Sequence, residues 1–371
     1  MPKINKNVTP QIISGVLKFL ATVIVLIIIV IIIPLFLSIF KGKDIPPMDD
    51  SQLQLQTINI PYEENSFYDL NKVQSLIDIK NVPKGKELVS DYLESDQWDQ
   101  EAVKQLLVDN KEALQYFTAA AVKGKFQLPD TDNPSKISSD MPVMPLNSWR
   151  ETSYLSGIKA ISLAKDGQDR EALDEAFKSI IIGNTIENSP SLLITNLVGM
   201  SIKNNGLDVL QKVLTIIPKD SPALAEYQSK LENYQAQGNP APFITEYLVC
   251  KQSWNNFKQG DGASLNVGVK FLMKNKFYFK KNLTDSYCFA FFNKLAIESE
   301  KDCLAVKDVQ TSLAPLTENN LIKMYFTENL VGKHFAEFYT ENEAAYNNVL
   351  KQKCATEKKL KDTALIINSQ K

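Results

Sequence analysis

Between Phe19 and Phe40 the chain runs for 22 residues without a charge, "FLATVIVLIIIVIIIPLFLSIF". A helix of that length spans roughly 33 Å, close to the hydrocarbon thickness of a bilayer. A soluble helix needs one apolar stripe, and this one is apolar all round. Pro34 is tolerated in such a span because neighbouring groups or water satisfy the freed carbonyl. The residues that follow, "LFLSIFKGKD", offer no small-residue cleavage site, so the spacing predicts an uncleaved signal anchor and not a signal peptide. Lys3, Lys6, Lys18 and the terminal amine precede the span, and Lys41 and Lys43 follow it. That bias favours a cytoplasmic N-terminus, with the rest of the chain on the far side.

The expected organisation is a tail and transmembrane anchor over 1–43, a linker over 44–62, a helical domain over 63–236 and a second helical domain over 237–371. A formal charge of −2 gives no electrostatic basis for a nucleic-acid partner. With 14 glycines, widely spaced turn signals and almost no strand-type alternation outside "LQLQTINI" (Leu53 to Ile60), the fold class expected is all-α. Four cysteines, Cys250, Cys288, Cys303 and Cys354, suit two disulfides in an exported domain, or free buried thiols if the orientation is reversed, while the rival zinc reading lacks a C-x2-C spacing. Cys288 and Cys303 are read on one continuous helix, about 22 Å apart, which makes that pairing the least favoured of the three.

Helical signals follow in order. "IPYEENSFYDL" (Ile60 to Leu70) starts a helix with Glu63 and Glu64 at its positive end and Phe67, Leu70 and Ile77 on one face. Asp96 to Gly124 reads as two short helices meeting near Asp109 and Asn110, with Trp98 and Leu106 lining the first and Leu114 and Phe117 the second. A Pro-rich loop covers Leu128 to Asn147. Ser148 and Glu151 then have capping-box spacing, ahead of a stripe of Tyr154, Leu155, Ile158 and Ile161. Past "KDGQDRE", a second stripe runs through Ala172, Leu173, Ala176, Phe177, Ile180 and Ile181. Ser189–Pro190 and Ser221–Pro222 each have the pattern of an N-cap followed by proline at the first helical position. "QAQGNPAP" (Gln235 to Pro242) is the expected boundary, and a long helix from Glu341 carries Lys351, Lys353, Lys358, Lys359 and Lys361 on its solvent side.

The unit "ISLAKDGQDREALDEAFKSII" resembles one tetratricopeptide helical pair, with Ala164, Gly167, Ala172 and Ala176 at the small-residue positions. More widely, "PYEENSFYDL", "DNKEAL", "SWRETSYLSGIKAISLAKDGQDREAL", "FKKNLTDSY" and "ENLVGKHF" are similar to segments of bacterial single-pass membrane proteins with a helical, tetratricopeptide-like envelope domain. That resemblance implies a cell-membrane location with the folded part periplasmic or extracellular. It carries no activity.

Chemistry-bearing motifs are few. One histidine, His334, excludes HExxH and any site needing two imidazoles, and no G-x-S-x-G, P-loop or G-x-G-x-x-G pattern occurs. No cofactor or metal is therefore expected. "EENSFYDL" is similar to the Glu-Ser-x-Phe stretch of lytic transglycosylases, but the Gly-rich helix-loop that follows in that family is replaced by "NKVQSLIDIKNVPKG". "VKFLMKNKFYFKKN" (Val269 to Asn282) sets Phe271, Phe277, Tyr278 and Phe279 among Lys270, Lys274, Lys276, Lys280 and Lys281, which suits either an inward-packed amphipathic segment or contact with anionic headgroups. The leading expectation is a membrane-anchored scaffold or interaction module for other envelope proteins. The alternatives are an envelope hydrolase using Glu63 or Glu64, and a lipid-contacting module.

Overall fold

The computed structural model describes residues 8–55, 58–79, 99–129, 131, 133–137, 144–234, 239–259, 272–311, 313 and 326–369. Among them the longer regular elements are all helical, and no strand occurs. The all-α fold is as the sequence predicts.

The apolar run forms α1 (Val8–Ile27), a π-helical turn (Ile28–Ile32) and α2 (Ile33–Lys41). Proline lacks an N–H, and its ring collides with the carbonyl four residues back; widening the helix by one residue relieves both. The N–H of Ile33 accordingly donates to the Ile28 carbonyl, five residues back, just before Pro34. From Ser14 to Lys41 the helix is long and apolar enough to cross a membrane, with a mean hydropathy of 3.5 in its most apolar stretch.

The chain divides into two compact units, each discontinuous in sequence. The smaller takes Met1–Asp49, Trp254–Cys288 and Ser312–Glu341; the larger takes Asp50–Ser253, Phe289–Thr311 and Asn342–Lys371. This differs from the expected split at 236/237, a point whose residues 235–238 lie outside the described ones. The reason is the C-terminal helix, whose Leu360 and Ile367 join the core built by the middle of the chain.

In the larger unit, α3 (Phe67–Val73), α4 (Gln100–Asp109) and α5 (Lys111–Lys123) precede α6 (Leu146–Lys165), α7 (Asp169–Glu187), α8 (Leu193–Ile216) and α9 (Leu224–Glu232). The helices α10 (Ala241–Gln259) and α11 (Lys281–Ser299) follow, and α13 (Glu343–Ser369) ends the chain; the divide between the units falls within α10 and α11. One core cluster gathers Leu173, Phe177 and Ile180 of α7, Leu207 and Leu210 of α8, and Tyr227 of α9. A second cluster packs Phe67, Phe126 and Trp149 edge to face.

The tightest seam joins α7 to α8, where glycines let the backbones meet. A methyl group on Gly183 would lie 2.3 Å from the Lys203 nitrogen, and one on Gly206 would lie 2.8 Å from the Ile180 nitrogen. Beside it, Lys203 and Glu187 form a buried ion pair of 3.0 Å, with Asn184 Oδ1 accepting a further Lys203 bond at 2.9 Å. On the other side of α8, Asn204 donates to Thr356 and Gln211 to Thr363, both at 2.8 Å. The seven-residue step is equal on both helices, so α8 and α13 run parallel.

Several expected boundaries move. Glu63 and Glu64 lie in a separate 3-10 turn (Tyr62–Glu64), because Asn65 bonds back to the 127 backbone and restarts the chain at α3. Ser148 is not a cap: α6 begins earlier, after Pro145, and Asn147 is the residue that bonds Glu151, at 2.6 Å. Ser189 terminates α7 through its bond to the Ile186 carbonyl, and α8 starts only at Leu193. Likewise Ser221 precedes a turn, and α9 starts at Leu224. Helix α11 ends at Ser299, so Cys303 sits in the following turn, where Asp302 accepts the Leu304 N–H. Of the α13 lysines, Lys353 turns inward to the Ser299 carbonyl (2.6 Å), and Lys359 pairs with Asp208 of α8. Trp98 lies outside the described residues.

In the smaller unit, the residues after α2 are held to the fold and do not form a free linker. Asn275 Nδ2 donates to the Pro34 carbonyl (3.1 Å), Lys280 Nζ to the Lys43 carbonyl (2.7 Å), and the N–H groups of Asn282 and Leu283 to Asp44. Helix α12 (Leu330–Thr340) is joined to the same turn by Asn329. Its backbone is left-handed (φ 54°), its N–H donates to Phe277 and its side chain accepts the Lys280 N–H at 2.7 Å.

Candidate functional site

Among the described residues, two places that collect exposed or half-exposed polar groups are candidates for a site. The first is a cleft of about 540 Å³ on the larger unit, between α5 and α6 with α4 and α7 at its margins. Helix α5 contributes Lys111, Leu114, Gln115 and Thr118, which share one face at the spacing i, i+3, i+4, i+7. Helix α6 contributes Lys159, Ser162 and Leu163 in the same way. Leu107 of α4 and Lys178 of α7 complete the lining.

The ammonium groups of Lys159 and Lys178 are placed by one acid. Glu175 is buried, and its Oε2 accepts from Lys159 at 2.8 Å and from Lys178 at 2.7 Å. Its other oxygen accepts from Ser156 at 2.9 Å. Lys178 also donates to Thr118 at 3.0 Å, and Gln100 donates to Ser162 at 3.4 Å. Two cations share one carboxylate, and Lys111 adds a third cation at the exposed start of α5. The cleft therefore combines surplus positive charge with leucine walls.

The second place is the turn beside the membrane-length helix. Lys274 and Lys276 are exposed there, while Lys270 lies outside the described residues. Lys280 departs from the expectation of lipid contact: it is 5% exposed, ion-paired with Glu328 and bonded to the Lys43 carbonyl. Lys281 pairs with Asp285 at 2.6 Å, and Phe277, Tyr278 and Phe279 are buried.

The remaining candidates are not among the residues that line the cleft. Glu63 is exposed, and Glu64 pairs with the exposed Lys125 at 2.5 Å. His334 is exposed on α12. Cys303 and Cys354 are bonded, with Cα atoms 5.3 Å apart, and no cysteine is free. Among the described residues no group of three His, Cys, Asp or Glu side chains could hold a metal ion. Asp50 has a distinct environment: burial pushes its carboxyl up, but hydrogen bonds from Lys251 and Tyr247 outweigh that and hold it below the ordinary value.

Compared with known proteins, the chain matches no protein-family model, no curated protein and no solved structure. Geometry and sequence alone carry the functional reading. The cleft was missed at the sequence level. Its signal was there in the mixed Lys–Leu stripes at helical spacing on two successive helices, but such stripes are common on solvated faces.

Proposed function

We propose that the chain is a single-pass membrane protein whose helical units act outside the cytoplasm as an interaction module for other envelope proteins. The observation that carries this reading is the direct passage of a membrane-length apolar helix into a folded turn that grips it at Pro34, Lys43 and Asp44. A helix held in that way transmits the position of the bilayer to the folded unit. The disulfides agree with an oxidising compartment. Proteolysis of intact spheroplasts is the test: a C-terminal tag is digested, an N-terminal tag is protected, and the chain resists alkaline extraction. In-membrane cross-linking then returns a reproducible envelope partner. A protected C-terminus, or no reproducible partner, overturns the reading.

A second reading is favoured by Lys274 and Lys276, which remain exposed, with Lys276 beside Gly42 just past the apolar helix. Basic residues at that level suit anionic headgroups. The full chain in nanodiscs containing phosphatidylglycerol retains that lipid over phosphatidylcholine, and Lys274→Gln with Lys276→Gln removes the preference. Retention unchanged in the double variant rejects it.

A further inference from the structure

We propose that the cleft between α5 and α6 is a binding site for a small amphiphilic anion. Its oxyanion head would be held by Lys111, Lys159 and Lys178, and its apolar body would lie on Leu107, Leu114 and Leu163. The site lies wholly in the larger unit and depends neither on the anchor nor on a protein partner.

The volume, about 540 Å³, falls within the range of small-molecule pockets. Such pockets pair apolar walls with a few fixed polar groups, and this one does the same. The fixed groups are set from behind. Glu175 is buried, tied to Ser156, and binds both Lys159 and Lys178 through a single oxygen. An ammonium group carries three donors. Lys178 spends one on Glu175 and one on Thr118; Lys159 spends one on Glu175. Thr118 in turn donates to the Leu114 carbonyl at 2.9 Å, which leaves it a positioning residue for Lys178.

The charge balance selects the class of ligand. Three cations face one buried carboxylate, so a cationic or neutral ligand gains nothing from the head site. An oxyanion completes the unspent donors with charge-assisted bonds. The three leucines exclude a purely hydrophilic anion as the best fit, since six or so methylenes laid on them add far more than tenfold to affinity. No covalent step is involved.

Calorimetric titration of the full chain in phosphatidylcholine nanodiscs tests this, with empty nanodiscs as the blank. The probes are n-hexyl phosphate, inorganic phosphate, 1-hexanol and hexyltrimethylammonium. Hexyl phosphate is expected to bind at least about tenfold tighter than the other three. Lys111→Gln and Lys159→Gln are each expected to weaken it by roughly three- to tenfold, with circular-dichroism melting unchanged for Lys111→Gln. Equal binding of hexyl phosphate and hexanol removes the cationic head site. Equal binding of hexyl phosphate and inorganic phosphate removes the apolar half. Wild-type affinity in both lysine variants, or no heat beyond the blank, overturns the proposal.

Discussion

Asp44 and Asn282 are 238 positions apart in sequence, and the backbone N–H of Asn282 donates to Asp44 Oδ2 at 2.8 Å. The other carboxylate oxygen takes the N–H of Leu283 at 3.1 Å. Asp44 therefore caps α11 from a distant part of the chain, satisfying two orphan amides and placing a negative charge at the positive helix end. The residue just past the membrane-length helix is part of the fold and not of a tether.

Replacing that cap gives the first expected outcome. Asp44→Ala costs about 1 kcal/mol of stability in the smaller unit. Amide exchange at Asn282 and Leu283 accelerates, while Asp44→Asn retains most of the protection. Exchange rates unchanged in the alanine variant would show that the cap is not formed.

The glycine seam sets a second. A methyl group at Gly183 meets backbone atoms of α8, which no rotamer change relieves. Gly183→Ala is expected to cost about 1–3 kcal/mol, against the usual gain from alanine in a helix. Thermal melting distinguishes the two signs directly.

The buried pair of Lys203 and Glu187 behaves asymmetrically. Lys203→Ala leaves a carboxylate uncompensated in the interior and costs about 3–5 kcal/mol. The double change Lys203→Met with Glu187→Leu, which removes both charges, is expected to lie within about 1–2 kcal/mol of the wild type. A double-mutant cycle with no coupling energy counts against a pair closed in solution.

Cys303 and Cys354 close a loop with a sequence separation of 51. Loop-closure entropy assigns the bridge about 4 kcal/mol. Denaturant midpoints of the Cys303→Ser, Cys354→Ser variant fall by the corresponding amount, with the slope rising as the unfolded chain expands. An unchanged midpoint means that the bond is not formed.

Acid titration addresses Asp50. Its carboxyl is held below the ordinary 3.8 by Lys251 and Tyr247 against the opposing effect of burial. A depressed carboxylate contributes stability that is fully present above 3.8 and is lost as the pH falls through the lower folded value. Asp50→Asn is expected to flatten that acid limb below 3.8. Overlapping profiles would remove Asp50 as a contributor.

Much of the secondary structure was legible because helical periodicity is a local property. Leu155, Ile158 and Ile161, and Leu173, Phe177 and Ile180, are buried as their spacing demands. Helix starts were less legible. Ser148, Ser189 and Ser221 each have capping chemistry, but a serine hydroxyl serves a helix end or a turn equally well, and Ser189 closes α7 where it was expected to open α8. Lys280 carries no local sign that Glu328 will bury it.

A membrane-length helix and an all-α chain followed from residue order, because hydropathy and periodicity are summed over neighbours in sequence. The partners of those helices came from the folded molecule: α13 lies along α8 through Asn204–Thr356 and Gln211–Thr363, and α7 meets α8 at Gly183 and Gly206. The cleft, too, forms only when α6 brings Lys159 to Glu175 of α7. Such contacts join residues far apart along the chain, and their energies depend on distance in space, which no stretch of sequence contains.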